Sequence, residues 1–283
     1  MPKKDCMSTV IIHTPVLNFE QSTQLERQFG NKPLKKAQHY RIETNKTVDR
    51  EQLGGLSAQL GFDINLLPDE FDSQQVKLVI SDMDSTLIAI ECIDEIADMM
   101  NIKPQVSEIT EAAMRGELNF EQSLTQRVQL LAGLDVNALQ RVYDERLTLN
   151  PGAEKWLAGL KKANIPFALV SGGFNFFTER LKQRLELDFT RANALQIDNH
   201  KLTGKVEGGI IGAQAKADFL LELCEQLQIK PNQVIAVGDG ANDLLMMQQA
   251  GLSVAYHAKP KVQDQATTAL NFRGLDAILD FIN

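Results

Sequence analysis

Apolar runs and amphipathic stretches alternate in the first part of the chain. Residues 9–12, 37–42 and 62–66 read as short β-strands, and they alternate with two polar helix candidates at residues 19–29 and 49–60. Turn-forming residues fill the stretch 68–75. The pattern therefore predicts a small α/β domain over residues 1–70 and a second domain over residues 71–283.

Three later apolar runs read as buried strands separated by helical patterns, namely residues 76–81, 166–171 and 233–238. This alternation predicts an α/β fold with a doubly wound parallel sheet, and such sheets bind ligands at the carboxyl ends of their strands. A turn at Asp198 and Asn199 and an alternating stretch at 201–206 predict an added β-hairpin.

A long insertion follows the first of these strands. Apolar residues recur in it at helical spacing, and Pro151 with Gly152 ends it. We expect a helical cap at about residues 88–150, because the segment is too long for a simple crossover.

Charge and composition narrow the class of protein. The net charge of −8 opposes binding to nucleic acid and to anionic lipid. Three scattered cysteines, Cys6, Cys92 and Cys224, fit a reducing compartment better than a disulfide framework. No apolar stretch suits a signal peptide or a membrane span. We expect a cytoplasmic enzyme that acts on a small molecule.

Carboxylates follow two of the buried strands. Asp82 and Asp84 come directly after residues 76–81, and Asp239 follows residues 233–238. Buried carboxylates need a compensating cation, and magnesium prefers oxygen ligands of this kind. Alone, an Asp-x-Asp pair is more often a turn or a helix N-cap, so the prediction of a magnesium site depends on the whole set.

A hydroxyl, small residues and a lysine complete the set. The second of these strands, residues 166–171, ends in Ser171, Gly172 and Gly173, whose N–H groups can approach an anion. Lys216 precedes a predicted helix at 217–227, where it adds positive charge unless it only begins that helix in solvent. Together these groups suit phosphoryl transfer to a carboxylate.

The motifs DMDST at 82–86, SGG at 171–173, the isolated Lys216 and GDGANDL at 238–244 occur in order. This series resembles the haloacid dehalogenase superfamily of phosphatases, and the likeness to its phosphoserine phosphatases extends through the insertion. The resemblance implies that Asp82 is the nucleophile and Asp84 the general acid and base.

The same resemblance assigns the remaining groups. It implies that Mg²⁺ contacts Asp82, the Asp84 backbone carbonyl and Asp239. It further implies that three residues hold the phosphoryl oxygens and that two more orient the site; these are Ser171, Gly172 and Lys216, and then Asn242 and Asp243.

The insertion indicates the substrate. Residues 120–131 read as a helix in which Arg127 lies on the apolar face, where a substrate carboxylate would be a suitable partner. By resemblance, Glu91 and Arg127 bind the amino and carboxyl groups of serine, and Met114 and Phe120 match apolar cap positions. This implies hydrolysis of O-phosphoserine, the last step of serine biosynthesis; the alternative is a phosphatase or phosphotransferase acting on another small phosphate ester.

Simpler interpretations remain open for several residues. Arg127 can extend along the cap to solvent or pair with Glu121 or Glu145, and Glu91 can be an exposed acid in a first helical turn. Residues 1–70 are either a binding module that senses an amino acid or forms a homodimer, or a structural appendage.

Overall fold

The computed structural model describes residues 7–282, so Cys6 lies outside the described part of the chain. The N-terminal unit contains β1 (Ser8–Ile12), α1 (Phe19–Phe29), β2 (Leu34–Lys35), β3 (Tyr40–Thr44), α2 (Arg50–Leu60) and β4 (Ile64–Leu66). Its strands form an antiparallel sheet in the order β2-β3-β1-β4. Val10, Leu25 and Ile42 belong to the core between this sheet and its helices.

Helix α1 begins and ends where the sequence predicts. The Asn18 side chain accepts the Gln21 N–H, and the Gln21 side chain accepts the Asn18 N–H, which satisfies donors that the first turn leaves unpaired. Gly30 ends the helix in the left-handed conformation, with φ of +88°.

The predicted strand at 37–42 is wrong in its first half. Lys36 donates its N–H to the His39 carbonyl, so residues 36–39 turn back on themselves, and β3 begins only at Tyr40. A local backbone hydrogen bond therefore outweighs the apolar pattern at this point.

The large sheet has seven strands in the order β11-β10-β9-β5-β6-β7-β8. Their bounds are β5 (Leu78–Ser81), β6 (Phe167–Phe174), β7 (Phe189–Asp198), β8 (Lys201–Glu207), β9 (Val234–Gly238), β10 (Leu252–Tyr256) and β11 (Thr268–Leu270). Neighbouring strands are parallel except β7 and β8, which form an antiparallel hairpin. The predicted α/β fold with a doubly wound parallel sheet is confirmed.

Helices cover both faces of this sheet: α7 (Ala153–Lys162), α8 (Asn175–Leu185), α9 (Ala213–Leu227), α10 (Leu244–Gln249) and α11 (Pro260–Gln265). Val79 belongs to the same core as Trp156 on one face, and Ile80 to the same core as Leu220 on the other. Because both sides of β5 are buried, its sequence is apolar throughout. Within residues 7–282, no helix is both long and apolar enough to cross a membrane.

The insertion after β5 forms a helical cap with α3 (Cys92–Met99), α4 (Lys103–Met114), α5 (Phe120–Gln129) and α6 (Asn137–Glu145). The cap also contacts the β7–β8 hairpin. Gly133 donates its N–H to the Leu202 carbonyl at 2.8 Å, and Leu202 donates its N–H to the Leu134 carbonyl at 2.8 Å. The hairpin therefore supports the cap at a point remote from its two connections.

Polar side chains of the N-terminal unit reach the last part of the chain. The buried Asp63 carboxylate accepts the backbone N–H groups of Asn271 at 2.7 Å and Arg273 at 3.0 Å. Asp280, also buried, pairs with His13 at 2.9 Å and His39 at 3.1 Å. The two units are thus joined by buried polar contacts, and the boundary after residue 70 stays a prediction.

Candidate active site

Three parallel strands of the large sheet end side by side. Asp82 follows β5, Asp239 follows β9, and Ser171 lies in β6 where its pairing with β7 shifts register between Val170 and Phe174. Because β5 lies between β6 and β9, these side chains meet at the carboxyl ends of the strands. The convergence predicted from the sequence is present.

Asp82, at the centre of this group of strand ends, is 5% exposed. Its Oδ1 accepts the Met83 N–H at 2.7 Å and contacts Lys216 Nζ at 2.8 Å. Burial and then the nearby Asp243 charge raise the pKa of Asp82 well above its ordinary range, while Lys216 opposes the rise. The lysine therefore favours the ionised form of Asp82.

Lys216 lies fully buried between two carboxylates. Its Nζ donates to Asp243 Oδ1 at 2.7 Å in addition to its contact with Asp82. Burial lowers the pKa of Lys216, but the Asp243 and Asp82 charges outweigh this effect and raise the pKa above its ordinary value. Lys216 is therefore a cation fixed in the site.

The position of Lys216 corrects two expectations. Helix α9 begins at Ala213, so Lys216 lies in its first turn and does not precede it. Gly212 is the N-cap and no side chain caps this helix, so no polar residue marks its start in the sequence. The interpretation of Lys216 as a solvated helix start is also wrong, because its side chain has no exposed surface.

Three carboxylates form a cluster of oxygen donors. Asp82, Asp239 and Asp243 each offer one oxygen, and these atoms lie within 4.8 Å of one another. Burial and then the Asp243 charge raise the pKa of Asp239 to about 6, and the Thr86 hydroxyl, which donates to Asp239 at 2.9 Å, opposes the rise. Oxygen-only donors with crowded negative charge are suited to a hard divalent cation.

Asp84 lies beside the end of β6. The Ser171 hydroxyl donates to Asp84 Oδ2 at 3.3 Å, and the Cys92 N–H donates to Oδ1 at 2.9 Å. A Cβ atom on Gly173 would lie 2.6 Å from Oδ2, so only glycine lets the carboxyl group approach this closely. Burial raises the pKa of Asp84, and the hydrogen bonds from Cys92 reduce the rise.

Ser171 is fully buried, and its hydroxyl also accepts the Gly173 N–H at 2.8 Å. The backbone of 171–173 thus leaves the ladder of sheet hydrogen bonds and turns toward Asp84. The Ser171 hydroxyl and the Gly173 N–H therefore lie where the sequence predicts a phosphoryl-binding turn. The roles of Ser171 and Gly172 in binding phosphate stay predictions.

Glu91 is the N-cap residue of α3 and keeps contact with solvent. Its Oε1 accepts the Ser85 hydroxyl at 2.7 Å. Protein atoms around the carboxylate remove part of its hydration, and this effect, followed by the Asp84 charge, raises the pKa of Glu91 to about 7. Glu91 therefore lies at the side of Asp84 and not on a remote helix surface.

Phe120, the first residue of α5, lies against the body of the protein. A Cβ atom on Gly172 would lie 2.7 Å from the Phe120 ring, and one on Gly212 would lie 3.4 Å from it. The cap therefore contacts the end of β6 and the start of α9 through one aromatic ring.

Arg127 is half-buried on α5, and its Nε donates to the Ser123 carbonyl at 3.4 Å. Burial lowers the pKa of Arg127, while three carboxylates oppose this, those of Asp94, Glu91 and Asp84. The ion pairs found among residues 7–282 do not include one between Arg127 and Glu121 or Glu145. The charges of these three carboxylates therefore act on the Arg127 guanidinium.

The other predicted site residues occupy the periphery. Met114 ends α4 and is 67% exposed. Asn242 is half-buried in the turn after Asp239, and the Gly240 N–H donates to Asp243 Oδ2 at 3.0 Å. The roles of Met114 and Asn242 stay predictions.

Sequence reasoning missed three supporting groups, the Thr86 hydroxyl, the Cys92 N–H and the Asn193 side chain. Asn193, 1% exposed, donates to the Gly172 carbonyl at 2.8 Å and accepts the Ile211 N–H at 2.8 Å. Thr86 belongs to the DMDST motif and could have been found there. Asn193 lies in β7 within no motif, so the sequence offers no signal for it.

Comparisons with known proteins show which family this chain is similar to. The sequence family described as haloacid dehalogenase-like hydrolase matches residues 76–251. A phosphoserine phosphatase of Polaromonas sp. is 49% identical over 227 residues, which cover 78% of this chain and 96% of the relative.

Two solved structures extend the comparison. A haloacid dehalogenase family hydrolase of Salmonella enterica serovar Typhi superposes with a TM-score of 0.90 and 32% identity, covering 98% of this chain and 99% of the other. A phospho-aspartyl intermediate analogue of phosphoserine phosphatase has a TM-score of 0.69 and 40% identity, covering 74% of this chain and 99% of the other.

Proposed function

Because this chain belongs to the haloacid dehalogenase-like hydrolase family, we propose that it hydrolyses O-phosphoserine to serine and inorganic phosphate, the last step of serine biosynthesis. The observation that carries the proposal is that Asp82, Lys216 and Asp84 meet at the carboxyl ends of the central strands. Glu91 and Arg127 lie beside them. The related phosphoserine phosphatases and the structure of a phospho-aspartyl analogue support the substrate and the intermediate.

Asp82 is the nucleophile in this proposal. Lys216 and the Met83 N–H hold Oδ1, so Oδ2 is the oxygen that attacks phosphorus. The serine oxygen leaves and an aspartyl-phosphate forms, which divides hydrolysis into two easier steps. Ser171 and the backbone N–H groups near it, together with Lys216, stabilise the charge on the phosphoryl oxygens.

Asp84 transfers the protons. Its raised pKa favours the protonated form, which donates a proton to the departing serine oxygen. The resulting carboxylate then takes a proton from the water that attacks the aspartyl-phosphate, which returns Asp84 to its starting state. The Cys92 N–H holds Asp84 Oδ1 during both steps.

We propose that the three-carboxylate cluster holds Mg²⁺, bound by Asp82, Asp239 and the Asp84 backbone carbonyl. Asp243 contacts Lys216 and the Gly240 N–H, which suits it to orient the site. The raised pKa of Asp239 fits a site that is short of positive charge. When bound, Mg²⁺ would offset the charge of the carboxylates and of the phosphoryl group.

The cap binds the serine part of the substrate. Arg127 binds the carboxylate, Glu91 binds the ammonium group, and Phe120 and Met114 supply apolar surface. The position of Arg127 in the field of Glu91 and Asp84 supports this assignment.

A screen of phosphate esters with and without Mg²⁺ tests the proposal. We expect magnesium-dependent phosphate release from O-phosphoserine, abolished by Asp82→Asn, which keeps the size of the side chain but removes the nucleophilic charge. Comparable rates on unrelated sugar phosphates would instead favour the alternative, a phosphatase for another small ester. Asp144→Asn, an exposed change in α6, serves as the matched control.

The cytoplasmic location, the homodimer and the sensing role of the N-terminal unit belong to the same proposal. Comparing the whole protein with a protein that starts at Gln74, for inhibition by serine and for mass in solution, tests the last two. Equal inhibition and equal subunit number would assign the unit a structural role.

A further inference from the structure

The two chain segments that connect the cap to the body run side by side. Ile88 and Leu149 form an antiparallel bridge, the Ala89 N–H donates to the Thr148 carbonyl at 2.9 Å, and the Asn150 N–H donates to the Leu87 carbonyl at 3.0 Å. We call residues 87–89 and 148–150 the hinge ribbon. Any movement of the cap relative to the body must pass through it.

One side chain joins this ribbon to the turn that follows Asp82. We call this turn, residues 83–87, the catalytic turn. The Asn150 Nδ2 atom lies 2.8 Å from the Thr86 carbonyl, 3.1 Å from the Ile88 carbonyl and 3.3 Å from the Ser85 carbonyl. The nitrogen carries two hydrogens, so at least one of them is shared between two carbonyl groups. Three carbonyls that continue the turn after Asp84 therefore depend on one carboxamide.

The conformation of Ser85 makes this fastening important. Ser85 has φ of +57°, a left-handed conformation that is strained in a residue other than glycine. Its N–H donates to the Ile90 carbonyl at 3.2 Å, its hydroxyl donates to Glu91, and its carbonyl accepts from Asn150. The backbone that is held in this way carries Asp84 on one side and orients Glu91 on the other.

The end of the ribbon next to Asn150 is anchored independently. The Leu275 N–H donates to the Pro151 carbonyl at 2.8 Å, and Gly152 has φ of +83° with the Asp276 backbone nitrogen 2.6 Å from the position of a Cβ atom. Residues 151–152 therefore cannot follow the cap easily. This fixed base gives the Asn150 side chain a constant position relative to the body.

We propose that Asn150 is a positioning residue that binds the carbonyls of Ser85, Thr86 and Ile88. Through these bonds it keeps the cap residues that bind serine at a fixed position relative to the catalytic turn. The proposal rests on the proposed function, because it assigns Asn150 to the recognition of phosphoserine. A substrate without an amino-acid part, such as p-nitrophenyl phosphate, uses the body of the protein and depends less on the register of the cap.

Three substitutions separate this role from simple packing. Asn150→Asp keeps the shape but replaces the donor by an oxygen that repels the three carbonyls. Asn150→Ala removes the group, and Asn150→Ser returns one donor. We expect the ratio of kcat/KM on phosphoserine to kcat/KM on p-nitrophenyl phosphate to fall about tenfold in Asn150→Ala, the change expected for one typical hydrogen bond.

The order of the variants is the decisive result. We expect the ratio to be highest in the unchanged protein, then in Asn150→Ser, Asn150→Ala and Asn150→Asp. A packing role would put Asn150→Asp nearest to the unchanged protein, because it is closest in size, and that order would overturn the proposal. Asn137→Ala, a change of an exposed asparagine on α6, is the matched control and should keep the ratio.

Hydrogen exchange provides a test that needs no turnover. We expect Asn150→Asp to speed exchange of the Ala89 N–H and of the Ser85 N–H, and leave the Leu202 N–H, which binds Leu134, at its original rate. Unchanged exchange in the ribbon would overturn the proposal even if activity fell. Absence of phosphoserine turnover in the unchanged protein would contradict the proposed function, while exchange would still decide the role of Asn150.

Discussion

At Asp84 and Asp239, burial raises the pKa of the carboxyl group and hydrogen bonds partly oppose the rise. The Cys92 N–H supplies the bond at Asp84, and the Thr86 hydroxyl supplies it at Asp239. Burial and hydrogen bonding therefore act in opposite directions on each group. The groups that donate to the two carboxylates therefore help to set their pKa values, as burial does.

Thr86→Val tests the support of Asp239. The change keeps the shape of the side chain but removes the donor at 2.9 Å, so Asp239 should hold a cation less well. We expect the Mg²⁺ concentration at half-maximal activity to rise about 10–100-fold, the usual effect of losing a partner of a metal ligand.

Thr110→Val, in the cap helix α4, is the control for Thr86→Val, because its hydroxyl bonds a backbone carbonyl far from the cluster. Thr86→Ser should retain most of the magnesium affinity. An unchanged magnesium dependence in Thr86→Val would show that the hydroxyl does not support the metal site.

Arg127→Ala tests the recognition of the substrate carboxylate. Since charged hydrogen bonds contribute about 1.5–3 kcal/mol, we expect kcat/KM on phosphoserine to fall about 10–100-fold, measured by phosphate release. A generic aryl phosphate without a carboxylate should be spared.

Arg141→Ala, which removes an exposed arginine that pairs with Glu145 on α6, is the control and should change neither rate. Equal losses on both substrates in Arg127→Ala would exclude a specific role in binding the carboxylate.

The cap and the end of β6 meet through the Phe120 ring. Gly172→Ala would place a Cβ atom 2.7 Å from this ring, so the cap must move outward or the ring must turn. Overpacking of this kind costs about 1–3 kcal/mol. We expect the KM for phosphoserine to rise by about tenfold in a steady-state assay.

The second change Phe120→Ala should return part of the turnover that Gly172→Ala loses, because it removes the obstructing ring. Gly209→Ala, where the added Cβ atom meets open space, is the control. If Phe120→Ala gave no recovery, the loss would come from the phosphoryl-binding turn and not from the cap.

Local patterns predict most of the elements that build the site. Helix α1 has the bounds predicted for it, and in the structure Asn18, Gln21 and Gly30 cap its ends. Strands β5 and β9 are recognised by continuous apolar sequence. Helix α9 begins at Ala213, three residues before Lys216. The sequence does not predict this start, because Gly212 gives no capping signal. Residues that act through distant contacts, such as Asn150 and Asn193, have no local pattern and could not be predicted.

Charged and polar contacts help to attach the N-terminal unit to the rest of the protein. Burial opposes ionisation of Asp280, but the hydrogen bonds from His13 and His39 outweigh it and lower the pKa of Asp280 to about 2. A carboxyl group whose pKa is lowered on folding stabilises the folded protein above its unfolded pKa, and this stabilisation is lost as the pH falls through the folded value.

Asp280 should therefore contribute about 2 kcal/mol to the free energy of unfolding above pH 4, and the contribution should disappear between about pH 4 and pH 2. Urea unfolding of the unchanged protein and of Asp280→Asn across this range measures it. We expect the difference between the two proteins to shrink as the pH falls, whereas a difference independent of pH would contradict the assignment. Asp144→Asn is the control.

The contact between His13 and Asp280 joins residues that are 267 positions apart. During synthesis on the ribosome, the N-terminal unit emerges long before its buried histidines meet their carboxylate, although domains generally fold in order of synthesis. Its docking face must therefore wait until Asp280 has been made. A nascent chain that stops before Asp280 would leave the buried histidines of this face without their carboxylate.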